Sequence, residues 1–297
     1  QVMAMDHPDV FKDVEDARTF VRKVTNAHSK RIKKFEDLER RFALMEQSVN
    51  EIDYKDFVFP SGYKKTLWIS DIHIPFEDRK SFHTAINFGV KMGCNSIVIL
   101  GDGVDFYGQS KWDKSPFIAA KLINQREKIH DILELLQDTF GYVVYKFGNH
   151  EKRFDDWLNK ASQTMPELDQ FITLDDYLRF DGCKIQFVEH YNKILYGKLN
   201  AVHGHEMYGG GGVHVAYNRL VKAMDNIVSA HSHVVQSDIR TTILGDVYGS
   251  WTMGCLCNLH PLYNPMNNWM HGFAYSELED NGEFIFDNKT IINGKVF

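Results

Sequence analysis

Cysteine is scarce in this sequence, and long apolar runs are missing from it. Four cysteines in 297 residues are too few and too scattered to predict a disulfide framework. No stretch approaches the roughly 18 uninterrupted apolar residues that predict a membrane span. The amino terminus shows no basic segment followed by an apolar one, as a secretory signal requires. We therefore expect a cytoplasmic protein with no membrane partner.

An excess of positive charge is also missing. The chain has 34 basic and 40 acidic residues and a net charge of −6, so the surface as a whole does not favour nucleic acid. A local basic patch can still bind a phosphate backbone. The hydrophobic content of 43% is enough for one large domain, or for a domain with an appendage.

The first part of the chain has the pattern of a long helix. Residues 12 to about 52 contain neither proline nor glycine, and apolar side chains recur at alternating three- and four-residue steps. The seam, in which His28 and Arg31 are the two polar members, consists of Val21, Val24, His28, Arg31, Phe35, Leu38, Phe42, Met45, Val49 and Ile52. The turn at Phe59-Pro60-Ser61-Gly62 then predicts a helical appendage over residues 1–60. Its stripe either packs on the chain's own core or forms a coiled coil between two chains.

Residues 61–297 are predicted to form a second domain of α/β type. Apolar runs at 66–70, 96–100 and 142–145 predict strands, and helices are expected near 79–92, 117–138 and 214–224. Further strands are expected near 184–188, 193–197, 199–203, 226–230, 235–243, 247–254, 272–278 and 283–287. The glycines 209–212 lack the spacing of a phosphate-binding loop, so we interpret them as a flexible loop. In such folds, ligands bind where parallel strands end.

Clusters of ionisable side chains follow five of the apolar runs. They are Asp71-Ile72-His73, Gly101-Asp102-Gly103-Val104-Asp105, Gly148-Asn149-His150-Glu151, His203-Gly204-His205 and Ala230-His231-Ser232-His233. Burying so many ionisable groups together costs free energy unless something compensates their charge. Metal ions are the natural compensation, so the pattern predicts a metal site.

These clusters resemble, in order, the signature of the calcineurin-like metallophosphoesterase superfamily: D-x-H, G-D-x-x-D, G-N-H-D/E, a later H-G, and G-H-x-H. The resemblance covers about residues 65–235. It implies an α/β fold in which a two-sheet β-sandwich is flanked by helices. Ala230 stands where the last motif usually has glycine, and we expect it to fit with a negative φ.

The resemblance also implies a site of two divalent metal ions. It implies seven ligands in two sets that share one carboxylate: Asp71, His73 and His233 for one ion, Asn149, His203 and His231 for the other, and Asp102 for both. Such a carboxylate holds two ions roughly 3.5–4 Å apart. Mixed nitrogen and oxygen ligands shift the preference away from Mg²⁺. We expect Mn²⁺ ahead of Fe, Zn²⁺, Ni²⁺ or Mg²⁺.

Three further groups have open or secondary assignments. By resemblance, His150 faces the substrate and stabilises or protonates the leaving oxygen, while Asp105 orients His150 or a metal ligand. His205 is a second-choice ligand, since alternation along a strand would put it on the same face as His203. Cys255, Cys257 and His260 fit no common zinc spacing, so we interpret them as structural packing.

The nature of the phosphoester is less constrained. Protein Ser/Thr phosphatases of this superfamily place Arg-Gly after the second motif, whereas this chain has Phe106-Tyr107 after Asp105. The chain looks similar to uncharacterised phage and bacterial phosphoesterases assigned to DNA processing, which implies a bacterial or phage-infected cell.

Two features hint at nucleic acid, and both have a structural alternative. Basic residues cluster at Lys30, Arg31, Lys33 and Lys34, with Arg40 and Arg41 further on, and candidates for stacking on bases are Tyr107, Trp112, Tyr191, Tyr208 and Trp269. A solvated helix face and ordinary core aromatics would look the same. We predict a phosphodiesterase, a nuclease on DNA, which dimerises through the N-terminal helix. A small-molecule or nucleotide phosphatase and a non-catalytic binding scaffold remain as alternatives.

Overall fold

The computed structural model describes residues 2–46, 54–110, 121–168, 172–207 and 212–297. The chain divides into two compact units, Gln1–Asp53 and Tyr54–Phe297. Several predicted features lie outside the described residues: Val49 and Ile52 of the seam, residues 117–120 of a predicted helix, Trp112, Tyr208, and the glycines 209–211.

The first unit contains the long helix that its heptad pattern predicts. Its helices are α1 (Val2–Asp6) and α2 (Val14–Glu46). Asp13 Oδ1 accepts the backbone N–H groups of Glu15 and Asp16, both at 2.8 Å, and so caps the start of α2. Among the seam side chains that the structure describes, Val24 is 51% exposed, Phe35 63% and Phe42 62%.

The second unit contains the remaining helices and every described strand. The helices are α3 (Arg79–Lys91), α4 (Leu122–Phe140), α5 (Asn149–Ser162), α6 (Leu174–Leu178) and α7 (Val215–Ala223). The strands are β1 (Phe57–Val58), β2 (Lys65–Ile69), β3 (Ser96–Leu100), β4 (Val143–Lys146), β5 (Gln186–Val188), β6 (Ile194–Tyr196), β7 (Leu199–Ala201), β8 (Ile227–Ser229), β9 (Gln236–Thr241), β10 (Val247–Thr252), β11 (Gly272–Leu278), β12 (Phe284–Ile292) and β13 (Lys295–Val296).

These strands form two sheets. One has the order β13-β12-β11-β2-β3-β4-β5, and the other has the order β1-β6-β7-β8-β10-β9. Strands β2 to β5 run parallel to one another, and so do β7 and β8. The carboxyl ends of neighbouring parallel strands therefore meet at one edge in each sheet.

The two faces of the first sheet bury different cores because side chains alternate along a strand. In β2, Trp68 belongs to a buried hydrophobic cluster that also contains Tyr196 of β6 and Met253, the residue after β10. Its neighbour Leu67 points to a cluster that includes Leu133 of α4. Helix α7 packs on the second sheet through β8, β9 and β10. The expected sandwich of two sheets between helices is confirmed.

Three local features differ from the sequence prediction. The boundary between units lies earlier than residue 60, because β1 pairs with β6 and so belongs to the second unit. Strand β7 ends at Ala201, so His203 lies in the segment that follows the strand and not in the strand itself. Helix α5, which was not predicted, begins directly at Asn149. Among the described helices, none is both long and apolar enough to cross a membrane.

Candidate metal centre

The fold brings the five ionisable clusters together from separate strand ends. Asp71 and His73 follow β2, Asp102 follows β3, and Asn149 opens the helix after β4. His203 follows β7, while His231 and His233 follow β8. Four groups of three described residues have possible ligand atoms within 4.8 Å of one another, and two of these groups contain Asp102: Asp71, His73 and Asp102, and Asp102, His203 and His231. Asp102 belongs to both, as a shared carboxylate must.

In the first half of the site, two imidazole nitrogens face each other. His73 Nε2 lies 3.3 Å from His233 Nε2, and His233 Nε2 lies 3.1 Å from Asp71 Oδ1. The other nitrogen of His73 lies 3.1 Å from Asp105 Oδ2, which fixes Nδ1 as the protonated atom. The two facing Nε2 atoms can share only one proton between them. A cation placed among these atoms would satisfy both lone pairs.

The second half repeats this arrangement around His203. Its Nδ1–H donates to the backbone oxygen of Leu100 at 2.7 Å, so the lone pair is on Nε2. That Nε2 lies 3.2 Å from Asn149 Oδ1 and 3.2 Å from Asp102 Oδ2. A lone pair directed at two oxygens is repulsive unless a proton or a cation lies between them.

Asp102 lies between the two halves. Its Oδ2 is 3.2 Å from His203 Nε2 on one side and 3.8 Å from His73 Nε2 on the other. Its Oδ1 accepts the backbone N–H of His150 at 2.9 Å. The side chain is 1% exposed, so solvent does little to screen its charge.

The electrostatics of the site demand positive charge. Burial alone would raise the pKa of Asp102, but the neighbouring His203 and His150 lower that pKa well below its usual range. Burial would lower the pKa of His203, yet Asp102 raises it to about 10. Asp71 likewise raises the pKa of His233 to about 9 against the effect of burial. The neighbouring carboxylates thus favour the charged form of His203 and His233, whereas burial lowers the pKa of His231 to about 4.

The backbone is held in an uncommon conformation around the ligands. Asp71, His73, Asp102, His231 and His233 all have φ between 51° and 66°. Residues other than glycine seldom adopt this left-handed region, and such strain is concentrated at functional sites. Ala230, by contrast, has a negative φ, as expected from its side chain.

Glu151 anchors the loop that carries Asp102, a role that the sequence did not reveal. It is fully buried and accepts the backbone N–H groups of Asp102, Gly103 and Gly148 at 2.8–3.0 Å. Tyr145 donates its hydroxyl to Glu151 at 2.5 Å. A Cβ at Gly148 would overlap Asp102 Oδ1, so glycine is required for this close approach.

His150 and Asp105 lie beside the first half of the site, and Arg153 joins them. His150 Nδ1 donates to the backbone oxygen of Asp105 at 2.8 Å, and Arg153 Nη2 donates to His150 Nε2 at 3.0 Å. Arg153 Nη1 donates to that same backbone oxygen at 2.8 Å. Arg153 was not among the predicted site residues. Its position three residues after His150 on α5 puts both on one helix face.

His205 is not in either ligand set. It lies near His203, with ring centroids 5.5 Å apart. Burial lowers its pKa to about 4, so it is neutral at pH 7. The neighbouring Glu206 instead accepts the backbone N–H of Gly204 at 2.7 Å and pairs with the buried Lys146 at 2.8 Å. This pair fixes the loop that carries His203.

Cys255, Cys257 and His260, which the sequence places near one another, lie in three different surroundings. Cys257 offers its Sγ within 4.8 Å of a ring nitrogen of His73 and of His233, so the structure places it against the site rather than in a remote core. Cys255 is buried and its thiol faces the backbone oxygen of Met270 at 3.6 Å. His260 is exposed, and its Nδ1 lies 3.2 Å from the backbone oxygen of Pro265.

The described aromatic candidates have different surroundings. Trp269 packs edge-on against His233, with ring centroids 4.1 Å apart. Tyr107 lines a cavity that also touches His73 and Asp105. Tyr191 packs against Tyr54 at 6.0 Å and is 40% exposed. All three therefore lie within reach of the site or of the surface beside it.

Comparison with known proteins gives relatives by sequence and by fold. No protein-family model matches the chain. The gene 54 protein of Mycobacterium phage L5 is 29% identical over 232 residues, which cover 71% of this chain and 88% of that protein. The gene 54 protein of Mycobacterium phage D29 is 27% identical over 239 residues, 73% of this chain and 90% of that protein.

The solved structures that align with this chain have low sequence identity to it. Vacuolar protein sorting 29 of Cryptosporidium parvum is 12% identical with a TM-score of 0.43, over 79% of this chain and 95% of that one. The nuclease MPE of Pseudomonas putida is 12% identical with a TM-score of 0.34, over 78% and 85%. At these scores the likeness does not distinguish among activities. In its five motifs, its two helix-flanked sheets and its His/Asp cluster, the chain is similar to calcineurin-like metallophosphoesterases.

Proposed function

We propose that the protein is a metal-dependent phosphoesterase that holds two divalent cations and hydrolyses phosphodiester bonds. The observation that carries this proposal is the pair of imidazole nitrogens of His73 and His233, which face each other at 3.3 Å while Asp105 holds the other nitrogen of His73. Histidine rings oriented by a carboxylate in this way are typical of metal ligands.

The residues present fit two cations that share Asp102. Asp71, His73 and His233 would hold the first, and Asn149, His203 and His231 would hold the second. The set mixes imidazole nitrogens with carboxylate and amide oxygens, which suits Mn²⁺, Fe or Zn²⁺ better than Mg²⁺. We propose Mn²⁺ as the ion that supports activity in vitro.

The chemistry that such cations supply is polarisation of the phosphoryl oxygens and activation of a water molecule for in-line attack. The chain's own residues would hold the metal ligands in place and fix which of their atoms carry protons. Asp105 keeps His73 in one tautomer through its contact at 3.1 Å. Glu151 holds the loop of Asp102 through backbone N–H groups, so the shared carboxylate needs little reorganisation.

We propose that His150 gives a proton to the leaving oxygen. Its Nδ1–H is committed to the backbone oxygen of Asp105, so Nε2 is the atom that exchanges a proton. Arg153 donates to that Nε2 and is 23% exposed at its side chain, so its guanidinium can turn to a phosphoryl oxygen instead. Once Arg153 has turned away, Nε2 can take up a proton from solvent; as the phosphorus–oxygen bond to the leaving group breaks, the departing oxygen takes that proton and leaves the imidazole neutral.

DNA is the substrate that we propose. Lys30, Arg31, Lys33 and Lys34 are exposed on α2, where they can contact phosphates. Arg41 is less available, since it pairs with Asp37 at 3.0 Å. The similarity to two phage gene 54 proteins supports action in the cytoplasm of a bacterial host cell. A small-molecule phosphoester is the alternative substrate, and a non-catalytic scaffold is the alternative function.

We also propose that the protein dimerises through α2. The exposed seam residues Phe35, Leu38 and Phe42 form an apolar stripe, which proteins in water rarely leave uncovered. A second copy of the same helix matches its heptad spacing, and pairing would bring two basic clusters together. The appendage would then supply affinity for DNA while the second unit supplies the chemistry.

A substrate panel tests the proposed function. With Mn²⁺, we expect hydrolysis of a generic diester ahead of a monoester, and metal-dependent degradation of single- or double-stranded DNA that a chelator abolishes. Cyclic nucleotides and RNA complete the panel. Efficient monoester cleavage with intact DNA would favour the small-molecule alternative. Binding of DNA without hydrolysis, across all metals, would favour the scaffold.

A further inference from the structure

A cavity of about 280 Å³ opens directly beside the candidate metal centre. Two of the described residues that line it, His73 and Asp105, belong to the first half of the site. The cavity therefore shares part of its wall with the first half of the site. The proposed chemistry concerns the phosphoester itself, and it uses none of the other residues that line this cavity.

Three aromatic side chains, those of Phe76, Tyr107 and Tyr263, line the cavity together with the apolar Pro261 and Leu262. Phe76 and Tyr107 pack edge to face, with ring centroids 6.1 Å apart, and Tyr263 lines the cavity with them. Tyr263 is 62% exposed, and Trp269 lies 6.4 Å away from it by ring centroids, on the side of His233. Aromatic side chains bind planar rings well, by stacking on a ring face or by edge-to-face contact.

The cavity also has polar groups that suit the edge of a ring. Asn258 and His260 line it, and Asn258 Oδ1 accepts the backbone N–H of His260 at 3.0 Å, leaving the amide nitrogen to donate. His260 Nδ1 lies 3.2 Å from the backbone oxygen of Pro265, so it is the protonated nitrogen and Nε2 can accept. A ring with both donors and acceptors on its edge fits these groups better than a hydrocarbon does.

The size of the cavity agrees with one such ring. Its volume equals that of roughly nine water molecules, at about 30 Å³ each, which is the scale of a purine with about ten non-hydrogen atoms. A double-stranded segment would not fit. The occupant must therefore be a single base that has left the stack of its duplex or belongs to a single strand.

We infer that this cavity is a subsite for the nucleobase next to the hydrolysed phosphate, and that the substrate is a nucleotide or a single-stranded nucleic acid end. Tyr263 is the specificity-determining contact. This inference rests on the proposed function, since it assigns the phosphate of the same nucleotide to the metal centre. It narrows the substrate from any diester to one that carries a base.

Calorimetric binding to the Mn²⁺-loaded full chain tests the inference without turnover. The probes are deoxyadenosine 5′-monophosphate and deoxyribose 5-phosphate, which share the phosphate and the sugar and differ by the base. We expect the nucleotide to bind roughly 5- to 150-fold more tightly, the range that base stacking on an aromatic side chain gives. Tyr263→Ala should remove most of this difference, and Tyr263→Phe should retain it.

Tyr217→Ala is the matched control, because Tyr217 is a similarly exposed tyrosine on α7, away from the cavity. It should keep the full preference for the nucleotide. Equal binding of the two probes by the wild type would overturn the inference, and so would an unchanged preference in Tyr263→Ala. Hydrolysis of a generic diester is measured in parallel. Its absence would overturn the proposed function, while the two binding constants would still decide the base subsite.

Discussion

The apolar side chains of β2 and β3 are buried on both faces of the sheet, whereas those of the seam on α2 are exposed to solvent. Leu67, Trp68 and Ile99 have no exposed surface, while Phe35 and Phe42 are more than 60% exposed. The second unit therefore encloses its own core. The first unit presents an apolar surface that needs something else to cover it.

The two units also differ in charge and chemistry. The second unit concentrates buried carboxylates and imidazoles at its strand ends, and α2 has exposed lysines and arginines with none of the site's ligands. This contrast suggests a division of labour, in which one unit performs hydrolysis and the other sets association. Substitutions in the second unit should change turnover, and those in the first should change binding and assembly.

Among substitutions that should lower turnover without removing metal, His150→Ala is expected to have the largest effect. His150→Ala removes the proposed proton donor but no proposed ligand, so diester turnover should fall by roughly 10²–10⁴-fold. Elemental analysis should find the same metal content as in the wild type. Intact activity would assign the proton to another residue. Loss of metal would show that His150 is itself a ligand.

A smaller loss of metal affinity or activity is expected when Asp105, which contacts His73 Nδ1, is changed. Asp105→Asn keeps the shape of the side chain but removes its negative charge. It therefore weakens the hydrogen bond between Asp105 Oδ2 and His73 Nδ1, which are 3.1 Å apart. Metal affinity or activity should decrease by roughly 10–100-fold, the usual consequence of changing a group that orients a ligand. Metal titrations of the variant and the wild type measure the shift. The matched change Asp287→Asn, on the exposed part of β12, should leave both quantities unchanged.

In the first unit, the expected effect is on salt dependence. Replacing Lys30, Arg31, Lys33 and Lys34 by glutamine should flatten the dependence of DNA affinity on salt, by roughly 0.9 in logarithmic slope for each phosphate that the helix no longer neutralises. Turnover of a small diester should not change. An unchanged slope would show that DNA, if it binds, does so elsewhere.

Removal of α2 altogether is expected to leave turnover unchanged. A chain that begins at Tyr54 contains the complete second unit, so its hydrolysis of a small diester should match that of the full chain. Light scattering should find a dimer for the full chain and a monomer for the shortened one. A full chain that is already monomeric, or a shortened chain that remains dimeric, would contradict pairing through α2.

The clustering of polar side chains at the site could be predicted because most of them follow an apolar strand closely, whereas their assignment as metal ligands came from the family resemblance and stays a prediction. Asp71 and Asp102 are examples, and both strands lie where the pattern places them. Helix α2 was also predictable, since its heptad spacing continues without proline or glycine. Long periodic segments carry most of the information that a single sequence provides.

The support around the ligands was harder to predict. Arg153 becomes a partner of His150 only once α5 is known to begin at Asn149, because the helix aligns residues three apart. The role of Glu151 depends on a loop that returns from β3, and the aromatic cavity joins Phe76, Tyr107 and Tyr263 from distant parts of the chain. Such contacts have no local signature, since tertiary packing alone creates them.

The central claim is that one chain holds two divalent cations that share Asp102. Elemental analysis of the protein after loading with Mn²⁺ and removal of free metal measures this most directly. The wild type should contain close to two equivalents per chain, and Asp102→Ala should lose most of both together with diester hydrolysis. A wild type that binds almost no metal at saturation, or an Asp102→Ala variant that keeps two equivalents, would contradict the account.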